Sequence, residues 1–300
     1  MSAVTEILIR TGLAAVRKDA HIRVYETAVD GGIREAQYEG GWGGGKANNT
    51  IAVGKIGTPV AATSLGLENI RVYYIGADNK LKEHAYDAGK GWYNGNLSSA
   101  GFDVAPYSGV SAVFLGGRAV LRVYAQIANN TIQEYVWDSN GKGWSQGSNL
   151  GAALPGTQIA ATSWGTSSIH IRVYFQDANL NVVERGWDGN GWYTGGLSFS
   201  SKVVRTALGV TSWGDGGSGL GIRLYYGAAD NYIKEKAWDG NGGWYDGGFS
   251  QPTIPASNVA AIPLDILRVY LQNGTDGTAV TEFAWGGSGW VSGYKALPPA

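Results

Sequence analysis

The 300-residue chain has no cysteine, which excludes disulfides and thiolate metal sites and removes any clue to redox compartment. Its three histidines, His21, His84 and His170, fall in different parts of the chain and form no metal-ligand spacing. Neither charge sign dominates: 23 Lys and Arg stand against 24 Asp and Glu. That balance leaves no basic footprint for nucleic acid and no polybasic membrane surface. No apolar run approaches the length of a membrane span, so membrane insertion is not expected. The opening MSAVTEILIR has no basic segment followed by a long apolar stretch, so it does not read as a secretory leader. The expectation is a cytoplasmic protein, or one released or surface-associated by a non-classical route. Helical periodicity is missing throughout.

What the chain has instead is glycine and tryptophan, 48 and 12 residues respectively, without a collagen period. That mixture suits a repetitive all-β protein or a sugar binder. Six Arg and Glu pairs recur: Arg23/Glu35, Arg71/Glu83, Arg122/Glu134, Arg172/Glu184, Arg223/Glu235 and Arg268/Glu282. The spacing is twelve residues in five copies and fourteen in the last. A Trp in a Gly-rich setting follows each pair, at Trp42, Trp92, Trp144, Trp192, Trp244 and Trp290. Each unit holds four short strand-like pieces, such as Val60–Leu65, Ile70–Ile75, Leu81–Tyr86 and Gly91–Leu97, separated by Asn, Asp and Gly. Six four-stranded antiparallel units predict an all-β, six-bladed β-propeller in one domain over 1–300. The approximate repeats are 1–56, 57–104, 105–155, 156–203, 204–254 and 255–300. A β-solenoid or two stacked sandwiches fit less well, because solenoid repeats are shorter and sandwich strands do not repeat in register. The tail 297–300 reads as a chain end outside the sheet.

The even spacing has a chemical meaning. A simple hairpin centred near Ala77 sets Arg71 directly opposite Glu83 with both side chains on one face. The two extra residues of the sixth copy preserve that parity. A guanidinium beside a carboxylate offers donors next to acceptors, which matches the adjacent hydroxyls of a sugar, and a nearby Trp offers a flat face for its C–H groups. The competing view is a cross-strand ion pair contributing about 0–1 kcal/mol, with Trp as blade packing. All six copies keep Arg rather than Lys and Glu rather than Asp, which favours bidentate geometry over charge alone.

The string IRVY…(K/R)EHAYD…GWY, repeated along essentially the whole chain, resembles the fungal fucose-specific lectins of the Aleuria aurantia type. The resemblance implies fucose-binding clefts between adjacent blades and no catalysis. Arg and Glu of one blade and the GW Trp of the next would hold the sugar hydroxyls, and aromatic and aliphatic residues would pack on the ring and its methyl. Transferred to this chain, the first cleft takes Arg23, Glu35, Trp92, Tyr86 and Leu65. The second takes Arg71, Glu83, Trp144, Trp137 and Leu115; the third Arg122, Glu134, Trp192, Trp187 and Trp164. The fourth takes Arg172, Glu184, Trp244, Trp238 and Trp213; the fifth Arg223, Glu235, Trp290, Trp285 and Leu264. The sixth closes the ring with Arg268, Glu282, Trp42 and Tyr38. There the apolar shelf falls near Arg17 and Lys18, so five regular clefts and one weak or altered cleft are expected. Fucosylated glycans and glycoproteins are the implied partners, a homodimer is a further implication, and neither cofactor nor metal is called for.

Two rival readings bear on the same residues. A glycoside hydrolase needs a unique pair of carboxylates in distinct environments, and here the carboxylates are equivalent in every repeat. No HExxH, phosphate loop or Asp-box motif is present. A protein-interaction propeller would vary its exposed residues between blades, whereas this chain repeats them; Trp137-Asp138, Trp187-Asp188 and Trp238-Asp239 resemble WD dipeptides only superficially. Sequons at Asn48, Asn96, Asn129 and Asn273 are read as unused, and the turns at Asp78-Asn79 and Asp230-Asn231 as hairpin loops rather than Ca²⁺ sites.

Overall fold

The computed structural model describes residues 6–138, 141–240, 242–263 and 267–299. Six antiparallel sheets follow one another along the chain, each built from contiguous sequence. Blade 3 is representative: its strands are Val110–Phe114, Leu121–Gln126, Thr131–Trp137 and Trp144–Ala152. Blade 1 splits its outer strand into Trp42–Gly44 and Thr50–Val53, both paired with Gly32–Tyr38. The first strand of every blade neighbours the first strands of the blades on either side, and the last meets the first, so the sheets close into a six-bladed propeller. Helical structure is nearly absent, and no helix among the described residues is long and apolar enough to cross a membrane.

Small residues explain the inner ring. Six first strands converge on one axis, and Ala14, Ala61, Ala112, Ala160, Gly209 and Ala260 leave a narrow channel of about 110 Å³, with a wider space of about 560 Å³ at the strand ends near Lys18, Leu65 and Phe114. A Cβ on Gly209 would stand 2.6 Å from the carbonyl oxygen of Val259, so blades 5 and 6 approach closely only because that residue is glycine. The second strands lie between two others and between two blades, and the Tyr two residues after each Arg (Tyr25, Tyr73, Tyr124, Tyr174, Tyr225 and Tyr270) is fully buried.

The hairpin register differs from the sequence expectation. Arg71 stands opposite Ala85, and Glu83 opposite Tyr73. The loop Gly76–Lys80 is centred on Asp78 rather than Ala77, because Asp78 Oδ1 accepts the Lys80 N–H and Asn79 adopts a left-handed φ of 54°. Moving the centre by one residue moves the pairing by two. Parity survives, so Arg71 and Glu83 share a face as diagonal rather than direct neighbours. The same register holds in all six blades, including Arg268 opposite Ala284 and Tyr270 opposite Glu282. The two extra residues of the last repeat therefore lie wholly beyond the paired strands.

The ring closes through side chains and chain ends. Gln272 of blade 6 donates to Leu8 O at 3.0 Å and accepts from Thr11 N at 3.1 Å. Gln126 and Gln176 make the equivalent clasps onto blades 4 and 5. The C-terminal tail forms no strand, but it is not a loose end: Leu297 is fully buried and its N–H donates to Val280 O at 2.8 Å.

Candidate functional site

Strand alternation gives each blade two unlike faces. In blade 4, Arg172, Tyr174 and Glu184 point one way, while Ile171, Trp187 and Trp192 point the other. Each cleft joins the polar face of one blade to the aromatic face of the next. The GW Trp of the following blade packs edge-on against the buried Tyr of the preceding one in every case. The pairs are Trp92 on Tyr25, Trp144 on Tyr73, Trp192 on Tyr124, Trp244 on Tyr174, Trp290 on Tyr225 and Trp42 on Tyr270, with ring centres 5.9–6.3 Å apart. The second aromatic wall, Tyr86, Trp137, Trp187, Trp238, Trp285 or Tyr38, packs against its own blade's GW Trp. Arg, Glu and these two aromatics are thus brought together as grouped from the sequence.

The apolar shelf is a correction. Leu65, Leu115, Trp164 and Trp213 pair into the strands so that each shares a face with the Arg of its own blade. The guanidinium of Arg172 lies 4.9 Å from the Trp164 ring, and that of Arg223 lies 4.8 Å from Trp213. Leu115 lines the cavity that holds Arg122 and Glu134. Leu65 therefore belongs to the second cleft, Leu115 to the third, Trp164 to the fourth and Trp213 to the fifth, each one cleft later than expected. Leu264 lies outside the described residues. The same alternation separates the two basic residues: Lys18 turns to the first cleft, where it pairs with Glu68, and Arg17 lies on the face toward blade 6.

The central Arg and Glu are each held by other groups. In all six blades the guanidinium donates to the backbone carbonyl just before it, at 2.9–3.2 Å. In five it also meets an outer carboxylate at 2.6–2.9 Å: Glu39, Asp87, Asp138, Asp188 or Asp239. In five blades the inner Glu accepts the Tyr hydroxyl directly opposite it, at 2.9 Å from Tyr25, 3.1 Å from Tyr73 and Tyr124, 3.4 Å from Tyr174 and 3.0 Å from Tyr270, whereas in blade 5 the Tyr225 hydroxyl and Glu235 Oε2 are buried without a partner. Backbone N–H groups of Leu97, Ser148 and Leu197 add bonds of 2.9–3.1 Å to Glu83, Glu134 and Glu184. A glycine lies against each of these carboxylates in blades 2–6 (Gly95, Gly147, Gly195, Gly247, Gly293). In five blades Arg and Glu are nevertheless not spent on each other, their closest atoms being 3.7–4.0 Å apart; in blade 4 they close to an ion pair of 3.1 Å.

Electrostatics follow from burial. Desolvation pushes the carboxyls of Glu35, Glu83, Glu134, Glu235 and Glu282 above the ordinary range, against the opposing pull of their hydrogen bonds and the arginines. The outer Asp188 is also partly desolvated. Hydrogen bonds from Arg172, Tyr193 and His170 outweigh that and hold it at about 2. The third cleft encloses about 280 Å³, polar at Arg122, Glu134 and Ser148 and apolar at Leu115, Ile169, Ile171, Trp187 and Trp192. The second is smaller, about 80 Å³, with Phe114 and Asn96 beside Arg71, Glu83, Trp137 and Trp144. Among the described residues no group of three His, Cys, Asp or Glu is placed to hold a metal ion.

Sequence reasoning missed the buried Tyr and the outer carboxylate. Both carried a signal. Tyr25, Tyr73, Tyr124, Tyr174, Tyr225 and Tyr270 each follow the Arg by two residues, and the outer acid follows it by sixteen in five blades.

With this geometry in hand, comparison with known proteins is direct. The sequence model of the family described as fungal fucose-specific lectin matches residues 7–300. A fucose-specific lectin of Aspergillus oryzae is 46% identical, with 98% of this chain and 97% of the relative aligned. The fucose-specific lectin of Aleuria aurantia is 33% identical over 95% of this chain and 78% of its own length. Among solved structures, SapL1 lectin in complex with α-methyl fucoside superposes with a TM-score of 0.96 at 64% identity, covering all of both chains. The six-bladed Aleuria aurantia lectin superposes at 0.86 with 31% identity, covering 99% of this chain and 98% of that one.

Proposed function

Because the chain belongs to the fungal fucose-specific lectin family, we propose that it binds L-fucose and fucosylated glycans in the clefts between its blades, and that it carries out no reaction on them. The observation that carries this reading is the unspent Arg and Glu pair. Each member is fixed by other groups, so donors and acceptors are set in place before a ligand arrives, and little side-chain entropy remains to be lost on binding. Vicinal hydroxyls fit the space between them. The aromatic walls suit the C–H face of the ring, and the aliphatic end at Leu115, Ile169 and Ile171 suits the methyl of a 6-deoxy sugar. A hydroxymethyl group there would bury a hydroxyl without a partner, a cost of about 1–3 kcal/mol.

The binding set for each cleft is then Arg, inner Glu, the next blade's GW Trp and its companion aromatic, with the shelf residue from the Arg-bearing blade. Several clefts on one ring give avidity on a glycan-coated surface. Self-association into a homodimer is part of the same reading and rests on the family resemblance alone; light scattering at several concentrations tests it. For the main reading, titration calorimetry with methyl α-L-fucoside and with methyl α-L-galactoside, which differs at C6, is decisive. We expect heat with the first and at least ten-fold weaker binding of the second. Equal binding of both, or of neither, would remove the proposal.

A further inference from the structure

The sixth cleft departs from the others at three places. First, the residue after the glycine that overlies the inner Glu is Asn96, Ser148, Gly196 and Gly248 in blades 2–5, and Asn96 and Ser148 line the open cavities of their clefts. In blade 6 that residue is Tyr294. Its backbone is tied to Glu282 through the Glu282 N–H bond to Tyr294 O at 2.8 Å. Its ring reaches across to blade 1, 6.1 Å from Trp42 and 6.5 Å from Tyr38, centre to centre. Those two rings correspond to Trp192 and Trp187, the aromatic walls of the open third cleft. Second, Gly286 stands where the other blades carry the outer carboxylate, and among the described residues Glu282, at 3.8 Å, is the only acid within 4 Å of Arg268. The Arg268 side chain is 25% exposed, against 14–18% for the other five. Third, Trp42 Nε1 is buried with no partner, and among the described residues it is the one GW indole of which this holds.

We propose that Tyr294 is a built-in lid: its phenol ring occupies the place between Glu282 and the Trp42 and Tyr38 walls that a sugar takes elsewhere, so the molecule presents five open clefts and one filled by its own side chain. Tyr294 is 46% exposed and holds the cleft through aromatic contacts with Trp42 and Tyr38, so removing the ring opens the space without disturbing the sheet. Glycine, present at the same position in blades 4 and 5, keeps the backbone bond to Glu282. The inference rests on the fucose reading above.

The test is calorimetric stoichiometry with methyl α-L-fucoside on the full chain and on Tyr294→Gly, with Tyr294→Ser as a second variant that copies Ser148 of blade 3. The native chain is expected to bind five equivalents, and both variants, with native circular dichroism, a sixth. Crystals of the native chain soaked in the same fucoside are expected to show Tyr294 in place and no sugar in the sixth cleft. Six equivalents on the native chain, or five on folded variants of both kinds, would overturn the lid. Absence of heat from every protein would remove the fucose reading itself, and the lid with it.

Discussion

Tyr124 stands directly opposite Glu134 on the neighbouring strand of blade 3, and its hydroxyl donates to the carboxylate at 3.1 Å. The phenol is fully buried, so this bond is made in a dry setting and fixes one oxygen of the acid. Tyr124→Phe should lower unfolding free energy by about 1 kcal/mol, the usual cost of one lost hydrogen bond. It should also weaken the third cleft several-fold by letting Glu134 turn. Denaturant unfolding and fucoside calorimetry read the two effects separately; unchanged affinity would make the tyrosine purely structural.

Arg122 tests whether shape or charge matters. Its guanidinium bonds Leu121 O and Asp138 at 2.9 Å each and keeps Nε toward Glu134 at 3.7 Å. A lysine supplies the charge but cannot make these contacts together. Both Arg122→Lys and Arg122→Ala should therefore lower the fucoside stoichiometry by one and leave the remaining affinity unchanged, since clefts this far apart behave additively. Full binding by the lysine variant would show that charge alone suffices.

Acid should release the sugar before it unfolds the protein. Burial raises the inner glutamates above the ordinary carboxylate value of about 4.3, so on acidification they protonate earlier than free Glu. A protonated Glu loses acceptor capacity, and binding fades as pH falls toward that raised value. For folding the sign is opposite. A raised folded-state pKa makes protonation favour the native state, so these residues do not drive acid unfolding. Affinity and far-ultraviolet circular dichroism followed from pH 7 to pH 4 should separate, with affinity falling first.

Glu26 carries a penalty unrelated to sugar. Both its oxygens are buried without partners, and Arg34, the nearest cation, is already engaged with Glu6. Burial pushes its pKa up to about 8, against the attraction of Arg34. Stability associated with this group is intact below pH about 4.3, where the unfolded carboxyl is also protonated, and is lost as pH rises through 8. Glu26→Gln should thus stabilise the fold by on the order of 2–4 kcal/mol at pH 9 and by almost nothing near pH 4. Melting curves of both proteins across that range are the check, and a pH-independent difference would refute the assignment.

Gln272 fastens the seam. Its side chain bonds Leu8 O, Thr278 O and Thr11 N, joining blade 6 to the segment that leads into blade 1. Gln272→Leu keeps the volume but orphans buried backbone groups, and should cost about 2–4 kcal/mol. Hydrogen exchange should show protection lost first around residues 8–12. Uniform loss across the ring would mean that the seam is not the weak point.

Much of this was legible in the chain itself. The six-fold recurrence announced the propeller, and the shared recurrence of Arg, Glu and Trp announced a cleft lined by two blades. Register was not legible, because it turned on a local competition: Asp78 captures the Lys80 N–H and moves the hairpin centre by one residue. The shelf residues were misplaced for a reason that parity could have settled. Trp164 lies two residues beyond Thr162, the partner of Arg172, and so shares the arginine's face rather than the previous blade's. Tyr174 carried no assignment, because a tyrosine between hydrophobic neighbours gives no sign that its hydroxyl serves an acid on the next strand. Lys18 and Arg17 looked like one departure. They are adjacent in a strand, and adjacency in a strand means opposite sides.

Among the described residues every blade is made from one contiguous stretch of chain, and no sheet borrows a strand across the seam. Each repeat therefore supplies all the strands of its own sheet, while the apolar core is shared between neighbouring blades and welds the circle. Half-rings of three modules carry complementary edges, with the hydroxyl-facing side at one end and the indole-facing side at the other. Two such halves would meet head to tail and rebuild the circle without a covalent link.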